Sequence, residues 1–480
     1  MLEQTPLLSL NALTVRRGGI SIVRDLTFQL QSGECWCVTG PTGSGKTTFL
    51  QALSGQFPAP PGTLTRRVTT EFVSFKEQSS RFSYGSYFYQ QRYQATMSDN
   101  AEGSDAGYTA IPLLRDFLQF SPSPEATALL DRLGLLPLLD RSFIKLSNGQ
   151  TRKARIGKAL LQQPTVLLLD NPFVGLDATF RMELTSWLGE LVHHGLSIVL
   201  VTESDDIPPF ATHLALMGEG QLQWAGPVKD YQPVYQPETE LADVPVLQTK
   251  PQRMDFAEAF RLHDITVRYG DTVILDNVNW VVQAGERWAL FGQNGAGKSV
   301  LLGLLYGDHP QAYANQVSVF GHRRGKSGES IWDVKRRIGF VSPELHLYFP
   351  QHLSVRQVAL TGMTDTLTPP ARVLAETEAD LLNLLSYFGL AHTITRPFGT
   401  LSAGEQRLVL LTRAFLKNAP VLLLDEPFQA IDARHVERAR KLIDSFTDKT
   451  ILFVTHNRNE LPQSIDQIFT LSGPNNRSAQ

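Results

Sequence analysis

The sequence contains two copies of one pattern, and this repeat constrains the fold more than any other feature. A glycine-rich run that ends in Lys46 returns with its end at Lys298, 252 positions later (46 to 298). At the same separation, Thr14-Val15-Arg16 matches Thr266-Val267-Arg268, and Gly33-Glu34-Cys35-Trp36 matches Gly285-Glu286-Arg287-Trp288. Further along, Ser147, Asp170 and Asp177 match Ser402, Asp425 and Asp432, 255 positions apart (170 to 425). Because self-similarity at a fixed spacing marks duplicated structural units, we expect two copies of one domain.

The domain boundaries follow from the repeat and from local composition. The chain has 480 residues, enough for two or three domains with their own cores. Between the copies lies a stretch rich in proline, glutamine and acidic residues, which predicts an extended linker. We therefore expect a first domain at 1–230, a Pro-rich linker at 231–255, a second domain at 256–474 and a polar tail at 475–480.

Composition excludes several classes of protein. With 42% hydrophobic and 19% charged residues, the chain is a folded globular protein and not a disordered, collagen-like or coiled-coil one. A formal charge of -3 provides no overall attraction to nucleic acid or anionic membranes. Cys35 and Cys37 are too few for a disulfide scaffold, an iron-sulfur cluster or a four-cysteine zinc site, so a reducing, cytoplasmic setting is expected. The start of the chain lacks a signal-peptide pattern, and its apolar runs are shorter than a spanning helix needs, so we expect neither export nor membrane crossing.

Each copy carries a glycine-rich loop that follows a short apolar run and precedes helix-compatible residues. Glycine lets such a loop fold tightly around an anion, so that backbone amides and the helix start surround the phosphates. The lysine reaches the terminal phosphates, and the hydroxyl that follows it holds magnesium. The sequence thus predicts two nucleoside triphosphate sites, whose loop residues are Gly40, Gly43, Gly45, Lys46, Thr47 and Thr48 in the first copy and Gly292, Gly295, Gly297, Lys298 and Ser299 in the second.

Two more motifs follow each loop. An apolar run that reads as a buried strand ends in Asp170 in the first copy and in Asp425 in the second, which brings a carboxylate to the sheet edge for the magnesium shell. Between loop and carboxylate, each copy has a Ser-x-Gly element before a long helical pattern, where the amides of a helix start could bind an anion. These elements are Leu146-Ser147-Asn148-Gly149-Gln150 and Leu401-Ser402-Ala403-Gly404-Glu405-Gln406.

This succession of motifs resembles the ATP-binding cassette (ABC) ATPases over nearly the whole chain. The resemblance implies an α/β fold of two P-loop ABC ATPase domains in tandem, each with a mixed sheet core and a helical signature subdomain. It also implies ATP and Mg²⁺ as ligands, with Thr47, Asp170, Ser299 and Asp425 around the metal. In this family two domains pair head to tail, so Ser147 and Gly149 would close over ATP on the second domain, and Ser402 and Gly404 over ATP on the first. ATP hydrolysis would then separate the halves.

The two predicted sites are chemically unequal. Glu426, which follows Asp425, matches the family's general base, whereas Asn171 follows Asp170, and an amide cannot take up the proton. His456 matches the family's histidine at the terminal phosphate, where the first copy has Glu203. Similarly, Tyr269 stands where an aromatic ring stacks on adenine, and Arg17 occupies that place in the first copy. We therefore expect hydrolysis mainly at the second site, with Glu426, His456 and Lys298 as its catalytic residues.

Both copies depart from the family where a glutamine usually links magnesium to the partner-facing subdomain. Pro343 stands there in the second copy; in the first, Phe75 does, with Gln78 three residues later. We therefore assign no magnesium ligand to this position, and coupling to a partner is expected to use other contacts.

Strings in the second copy narrow the resemblance further. Gly307-Asp308-His309-Pro310-Gln311 and Glu329-Ser330-Ile331-Trp332-Asp333 look like the ModF-type group, named for molybdate transport, and its photorepair-related cousins. The implied role is the ATP-binding subunit of a transport system for a molybdate-like anion, with separate membrane subunits as partners. The alternative is a soluble, non-transport ABC ATPase that acts on a nucleic-acid or protein complex. The Pro-rich linker argues against the translation-factor branch, which normally has a basic helical one.

Two surface segments leave their roles open. Residues 79–110 hold five of the 12 tyrosines together with Arg92. They suit a membrane-protein partner, single-stranded nucleic acid or a loop that packs its own rings. A basic group that includes Arg323, Arg324 and Lys335 could contact phosphate or lipid headgroups, although a solvated rim is the simpler expectation.

Overall fold

The computed structural model describes most of the chain as two compact units. The described residues are 5–17, 20–75, 113–141, 143, 146, 148–173, 176, 178–202, 207–232, 243–269, 272–292, 295–326, 328–343, 345 and 349–471. The first unit holds the described residues up to 232, and the second holds those from 243 onward.

The first domain is an α/β unit built on two sheets. Its described strands are β1 Leu8–Arg17, β2 Ile20–Leu30, β3 Cys35–Thr39, β4 Leu64–Arg66, β5 Thr70–Ser74, β6 Val166–Asp170, β7 Ser197–Val201, β8 His213–Gly218 and β9 Gln221–Pro227. Its described helices are α1 Lys46–Leu53, α2 Leu114–Leu118, α3 Pro124–Arg132, α4 Asn148–Leu160 and α5 Ala178–His193. One sheet is antiparallel, in the order β2-β1-β4. The other has the order β5-β6-β7-β3-β8-β9 and is parallel except for its β8–β9 edge.

Strand β6 shows why this mixed sheet is buried on both faces. Its residues Val166 to Asp170 are all buried, as expected for a parallel sheet covered on each side. Because strand side chains alternate, Val166 and Leu168 pack with the antiparallel sheet and α1. Leu167 and Leu169 pack on the opposite face with α4 and α5. The phosphate loop begins at the carboxyl end of β3, a central strand of this sheet.

The second domain repeats this plan. Its described strands are β10 Glu258–Tyr269, β11 Thr272–Gln283, β12 Arg287–Phe291, β13 Gln316–Val319, β14 His322–Arg323, β15 Ile338–Val341, β16 Val421–Asp425, β17 Thr450–Val454 and β18 Gln467–Thr470. Its described helices are α6 Lys298–Tyr306, α7 Ile331–Arg336, α8 Val355–Leu360, α9 Ala375–Tyr387, α10 Ala403–Leu416 and α11 Ala433–Ser445. The sheets are parallel β15-β16-β17-β12-β18 and antiparallel β11-β10-β13-β14. In β16, Val421 and Leu423 face the antiparallel sheet, and Leu422 and Leu424 face helices α8 to α10.

Part of the segment between the repeats packs on the second domain. The Asp380 carboxylate on α9 accepts hydrogen bonds from Gln248 N at 2.7 Å, Thr249 N at 2.9 Å and Thr249 Oγ1 at 2.6 Å. Val244 and Leu247 add apolar contacts to the same core. These residues are therefore ordered against α9.

The fold class expected from sequence is confirmed by the paired α/β architecture. Within the described part of the chain, every helix falls short of the length and apolar character needed to cross a membrane.

Candidate nucleotide-binding sites

The phosphate loop of the second domain joins β12 to α6. Lys298 is buried, and its Nζ donates a hydrogen bond to Gly292 O at 2.7 Å, which holds the ammonium at the loop. Gly297 is the N-cap of α6 with φ 95°. A Cβ on Gly297 would lie 2.7 Å from Leu275 Cδ2 and 3.1 Å from Ile274 Cγ2, so a side chain cannot fit there. This close approach packs the β10–β11 hairpin against the loop.

The first domain forms its loop in the same way between β3 and α1. Lys46 Nζ donates to Gly40 O at 2.6 Å and to Pro41 O at 2.8 Å. Gly45 is the N-cap of α1 with φ 96°, and a Cβ there would meet Val23 Cγ1 at 2.6 Å. Both loops thus place a lysine at a helix start, where amides and the helix dipole favour an anion.

Each loop hydroxyl lies beside the aspartate at the end of the neighbouring strand. Thr47 Oγ1 donates to Asp170 Oδ1 at 3.1 Å, and Ser299 Oγ donates to Asp425 Oδ2 at 3.3 Å. Both aspartates are buried. Hydroxyl and carboxylate oxygens are hard donors that suit Mg²⁺, so these two pairs have the chemistry that the metal needs. The adjacent Thr48 is also buried.

The residue after each strand aspartate has an unusual backbone conformation. Glu426 has φ 43° and Asn171 has φ 55°, both in the left-handed region that side chains other than glycine seldom adopt. Asparagine tolerates this region better than glutamate, which is strained there by about 1 kcal/mol or more. A hydrogen bond from Glu426 N to Val454 O at 2.9 Å supports the strained residue. The shared conformation means that the two sites differ here in side-chain chemistry and not in backbone shape.

In the second domain Glu426 and His456 are directly paired. His456 Nδ1 lies 3.0 Å from both Glu426 Oε1 and Oε2. The hydrogen bond to Glu426 raises the pKa of His456, although burial opposes the shift. Next to His456, Thr455 Oγ1 donates to Glu460 Oε2 at 2.9 Å. Glu426 and His456 therefore form one hydrogen-bonded pair.

The Ser-x-Gly element of each copy, here called the signature element, was expected at a helix start. Ser402 is the N-cap of α10: its side chain accepts from Glu405 N, and its own N–H donates to Glu405 Oε2 at 2.7 Å. Gly404 is buried in the first turn. In the first domain, Gly149 lies in the first turn of α4, and a Cβ there would touch the Phe180 ring at 3.4 Å. Ser147 lies outside the described residues.

Sequence reasoning missed two arginines on α4 and α10, the signature helices that begin at the two Ser-x-Gly elements. Arg407 on α10 donates to Ser342 O at 2.6 Å and to Pro343 O at 3.2 Å. Its counterpart on α4, Arg152, lies 4.9 Å from the centre of the Phe75 ring and donates to Pro172 O at 3.1 Å. Burial lowers the pKa of both arginines to about 10, so they stay charged at neutral pH. The two arginines occupy equivalent positions of the repeat, 255 residues apart (152 to 407), and this match is the sequence signal that could have identified them.

These contacts lie where the expected glutamine is missing. In each domain a signature-helix arginine contacts the residue that replaces it, Phe75 or Pro343. The described structure thus connects this loop to the signature helix without a glutamine side chain.

The remaining expectations have different outcomes. Tyr269 ends β10, and its hydroxyl lies 2.7 Å from His309 Nε2. The expectation that the basic group forms a solvated rim is wrong at two positions, because Arg324 is buried and Lys335 Nζ pairs with Asp308 Oδ1 at 2.5 Å. The expectations for Glu203, Asp177, Gln78, the Arg17 side chain and the whole of segment 79–110 concern positions outside those that the structure describes.

Comparison with known proteins decides the family. Residues 23–174 and 275–429 each match the ABC transporter family. The chain belongs to the ABC transporter family of ATP-binding proteins. The ABC transporter ATP-binding protein ModF of Escherichia coli (strain K12) is 32% identical over 95% of this chain and 96% of its own length. An uncharacterized ABC transporter ATP-binding protein of Schizosaccharomyces pombe is 31% identical over 93% of this chain and 94% of its own.

A solved structure shares the tandem fold. A chain in a structure of ribosome-bound archaeal Pelota and ABCE1 aligns with a TM-score of 0.57 and 17% identity, over 95% of this chain and 76% of that one. Its identity is low enough that the likeness concerns the fold alone. The family matches make both halves of the chain ABC ATPase domains, which belong to the P-loop class of ATP-hydrolysing enzymes.

Proposed function

We propose that the chain binds two ATP molecules at head-to-tail composite sites and hydrolyses ATP mainly on the second domain. The observation that carries this proposal is the Glu426–His456 pair, with 3.0 Å between Nδ1 and each carboxylate oxygen. The first domain has Asn171 at the equivalent strained position and Glu203 in place of the histidine. Of these two corresponding pairs of positions, the pair in the second domain therefore combines a carboxylate with an imidazole, and the pair in the first does not.

At the second site the chain's own residues would divide the work. Lys298 and the amides at the start of α6 bind the phosphates, and Glu426 accepts the proton of the attacking water. His456 holds the Glu426 carboxylate in place and donates toward the terminal phosphate. Ser299 and Asp425 would hold Mg²⁺, which neutralises phosphate charge when it is bound. Ser147 and Gly149 of the first domain would complete the site.

At the first site the same binding groups are present without the base. Lys46, Thr47 and Asp170 are arranged like their counterparts, with Ser402 and Gly404 as the proposed closing residues. Loss of general-base assistance slows hydrolysis by about 10²- to 10⁴-fold. We therefore assign ATP binding and slow turnover to this site, so that ATP there acts mainly to hold the halves together.

Recognition of the adenine base of ATP would depend on Tyr269 in the second site. The hairpin that carries it packs on Gly297 through Ile274 and Leu275, which fixes the ring's strand relative to the phosphate loop. An aromatic face can stack on adenine.

For the biological role we propose the ATP-binding subunit of a transport system, at the cytoplasmic face of a membrane. This rests on the ModF relative, whose own name describes an ABC transporter ATP-binding protein and which matches this chain over nearly its full length.

The catalytic proposal is tested with two single substitutions, each of which introduces glutamine. Glu426→Gln should lower the steady-state ATPase rate of the full chain at least about 100-fold, because it removes the base. Asn171→Gln, which exchanges one amide for another at the matching position, should leave the rate within about twofold. A Glu426→Gln rate above one-tenth of wild type would show that the first site turns over and would overturn the asymmetry.

Pairing of the domains is tested in solution with the Glu426→Gln chain. Small-angle scattering should report a smaller radius of gyration with Mg-ATP than with Mg-ADP, because ATP closes the two halves on each other. An unchanged radius would contradict the composite sites.

The transport role is tested by capture of partners on the same ATP-locked variant. A gentle pull-down from detergent-solubilised cells should recover polytopic membrane proteins, and wild type in ADP should recover less of them. Recovery of ribosomes or DNA instead would contradict transport and support the non-transport alternative.

A further inference from the structure

In the second domain, the turn that follows helix α6 forms hydrogen bonds with β10, the strand that carries Tyr269. Helix α6 starts at Lys298 and ends at Tyr306, and the next residues form a compact turn, here called the 309–315 turn. Pro310 opens its short helical segment, with His309 as the N-cap. A hydrogen bond from His309 N to Gly303 O at 3.1 Å ties the turn back to α6.

Three side chains of this turn contact β10 at positions 266, 268 and 269. Asn315 Oδ1 accepts from Thr266 N at 3.0 Å. Gln311 spans the backbone of Arg268: its Oε1 accepts from Arg268 N at 3.3 Å, and its Nε2 donates to Arg268 O at 2.8 Å. The third contact is the one between His309 Nε2 and the Tyr269 hydroxyl, at 2.7 Å.

The backbone fixes which way the last hydrogen bond runs. His309 Nδ1 accepts from Gln311 N at 3.2 Å, so this nitrogen carries no proton and the ring proton is on Nε2. Nε2–H therefore donates to the tyrosine oxygen. Burial also lowers the pKa of His309 to about 4, which keeps the ring neutral at physiological pH.

The first domain supplies an internal comparison. By the 252-residue offset (57 to 309), His309 corresponds to Phe57 and Tyr269 to Arg17. Phe57 packs its ring against the apolar core of its own domain. The copy without the aromatic residue thus also lacks the histidine that would hold it.

We propose that His309 is a positioning residue for base recognition, which holds the Tyr269 ring at the place where the base of ATP stacks. The inference rests on the proposed stacking role of Tyr269. Helix α6 has nine residues and spans about 13 Å, so one rigid element sets both the lysine at the phosphates and the turn at the base. His309 would thereby match the base contact to the phosphate contact.

The test compares KM for ATP with kcat in the full chain. Tyr269→Phe removes only the hydroxyl, and His309→Phe installs the residue that the first copy carries. Each should raise KM about three- to tenfold with kcat within about twofold, the range expected for one lost hydrogen bond. The double variant should be no worse than either single one, because both remove the same interaction. His309→Gln, whose amide can donate in place of Nε2–H, should stay nearer to wild type.

Two further variants distinguish a failure of the stacking role of Tyr269 from a failure of the positioning role of His309. Tyr387→Phe is the matched control, since it removes another tyrosine hydroxyl of the same domain, one that donates to Arg438 O at 2.9 Å. It should leave KM unchanged. Tyr269→Ala tests stacking itself: an unchanged KM would overturn the stacking role and the positioning role together. If Tyr269→Ala raises KM but Tyr269→Phe does not, positioning alone is overturned, and this holds even if His309→Phe fails to fold.

Discussion

Burial of His309 should make the second domain lose stability in mild acid. The side chain is fully buried, and burial lowers its pKa from 6.5 to about 4. Between these values the unfolded chain binds a proton that the native ring does not. Stability from this residue is therefore complete above pH 6.5 and falls as the pH drops towards 4. We expect His309→Gln, which cannot titrate and keeps a donor, to remove this component.

The size of the effect follows from the two pKa values. A pH of 5 lies about 1.5 units below the ordinary pKa of histidine, so the unfolded side chain is mostly protonated, while the native ring is still mostly neutral. At about 1.4 kcal/mol per unit, the wild-type domain should lose about 2 kcal/mol through this residue between pH 8 and pH 5. His309→Gln should lose about 2 kcal/mol less than wild type over the same interval.

The assay is urea unfolding at pH 8 and pH 5, followed by tryptophan fluorescence. Asn315→Ala is the control, because it removes hydrogen bonds of the same turn without removing a titratable group. It should lower stability equally at both pH values, and the transition that it shifts at pH 8 identifies the second domain. If His309→Gln lost as much stability as wild type on acidification, the assignment of a buried, neutral His309 would be refuted.

Three further predictions concern charged side chains of the second domain. Asp380→Ala should release the segment that packs on α9, seen as faster cleavage near residue 248 in limited proteolysis, whereas equal rates would contradict that contact. Lys417→Met should cost about 3–5 kcal/mol in urea unfolding, because it strands the buried Asp365 carboxylate 2.5 Å from the lysine, and Asp365→Leu in the same chain should recover most of the loss. Glu426→Gln should lower the pKa of His456 in an NMR titration, because the carboxylate that favours its charged form is gone, and an unchanged value would argue against the pair.

The sequence alone predicts the chemistry of two phosphate sites. Loop glycines, the lysine and the strand aspartate act through residue type and close spacing, which are local properties of the chain. Buried strands such as β6 were also visible as apolar runs, because a parallel sheet covered on both faces needs continuous hydrophobic residues. The difference between Asn171 and Glu426 came from aligning the two copies, and their matching φ values of 55° and 43° give that comparison a common backbone.

Tertiary structure decided what depends on residues distant in the chain. Arg407 meets Pro343 across 64 residues, and Asp380 meets Thr249 across 131. The hydrogen bond between Tyr269 and His309 spans 40 residues. No local pattern encodes such partners, because packing of helices on sheets brings them together. The sequence by itself predicts which groups could bind and split ATP, whereas the fold decides which side chains contact those groups, since such a contact exists only where two separate elements meet.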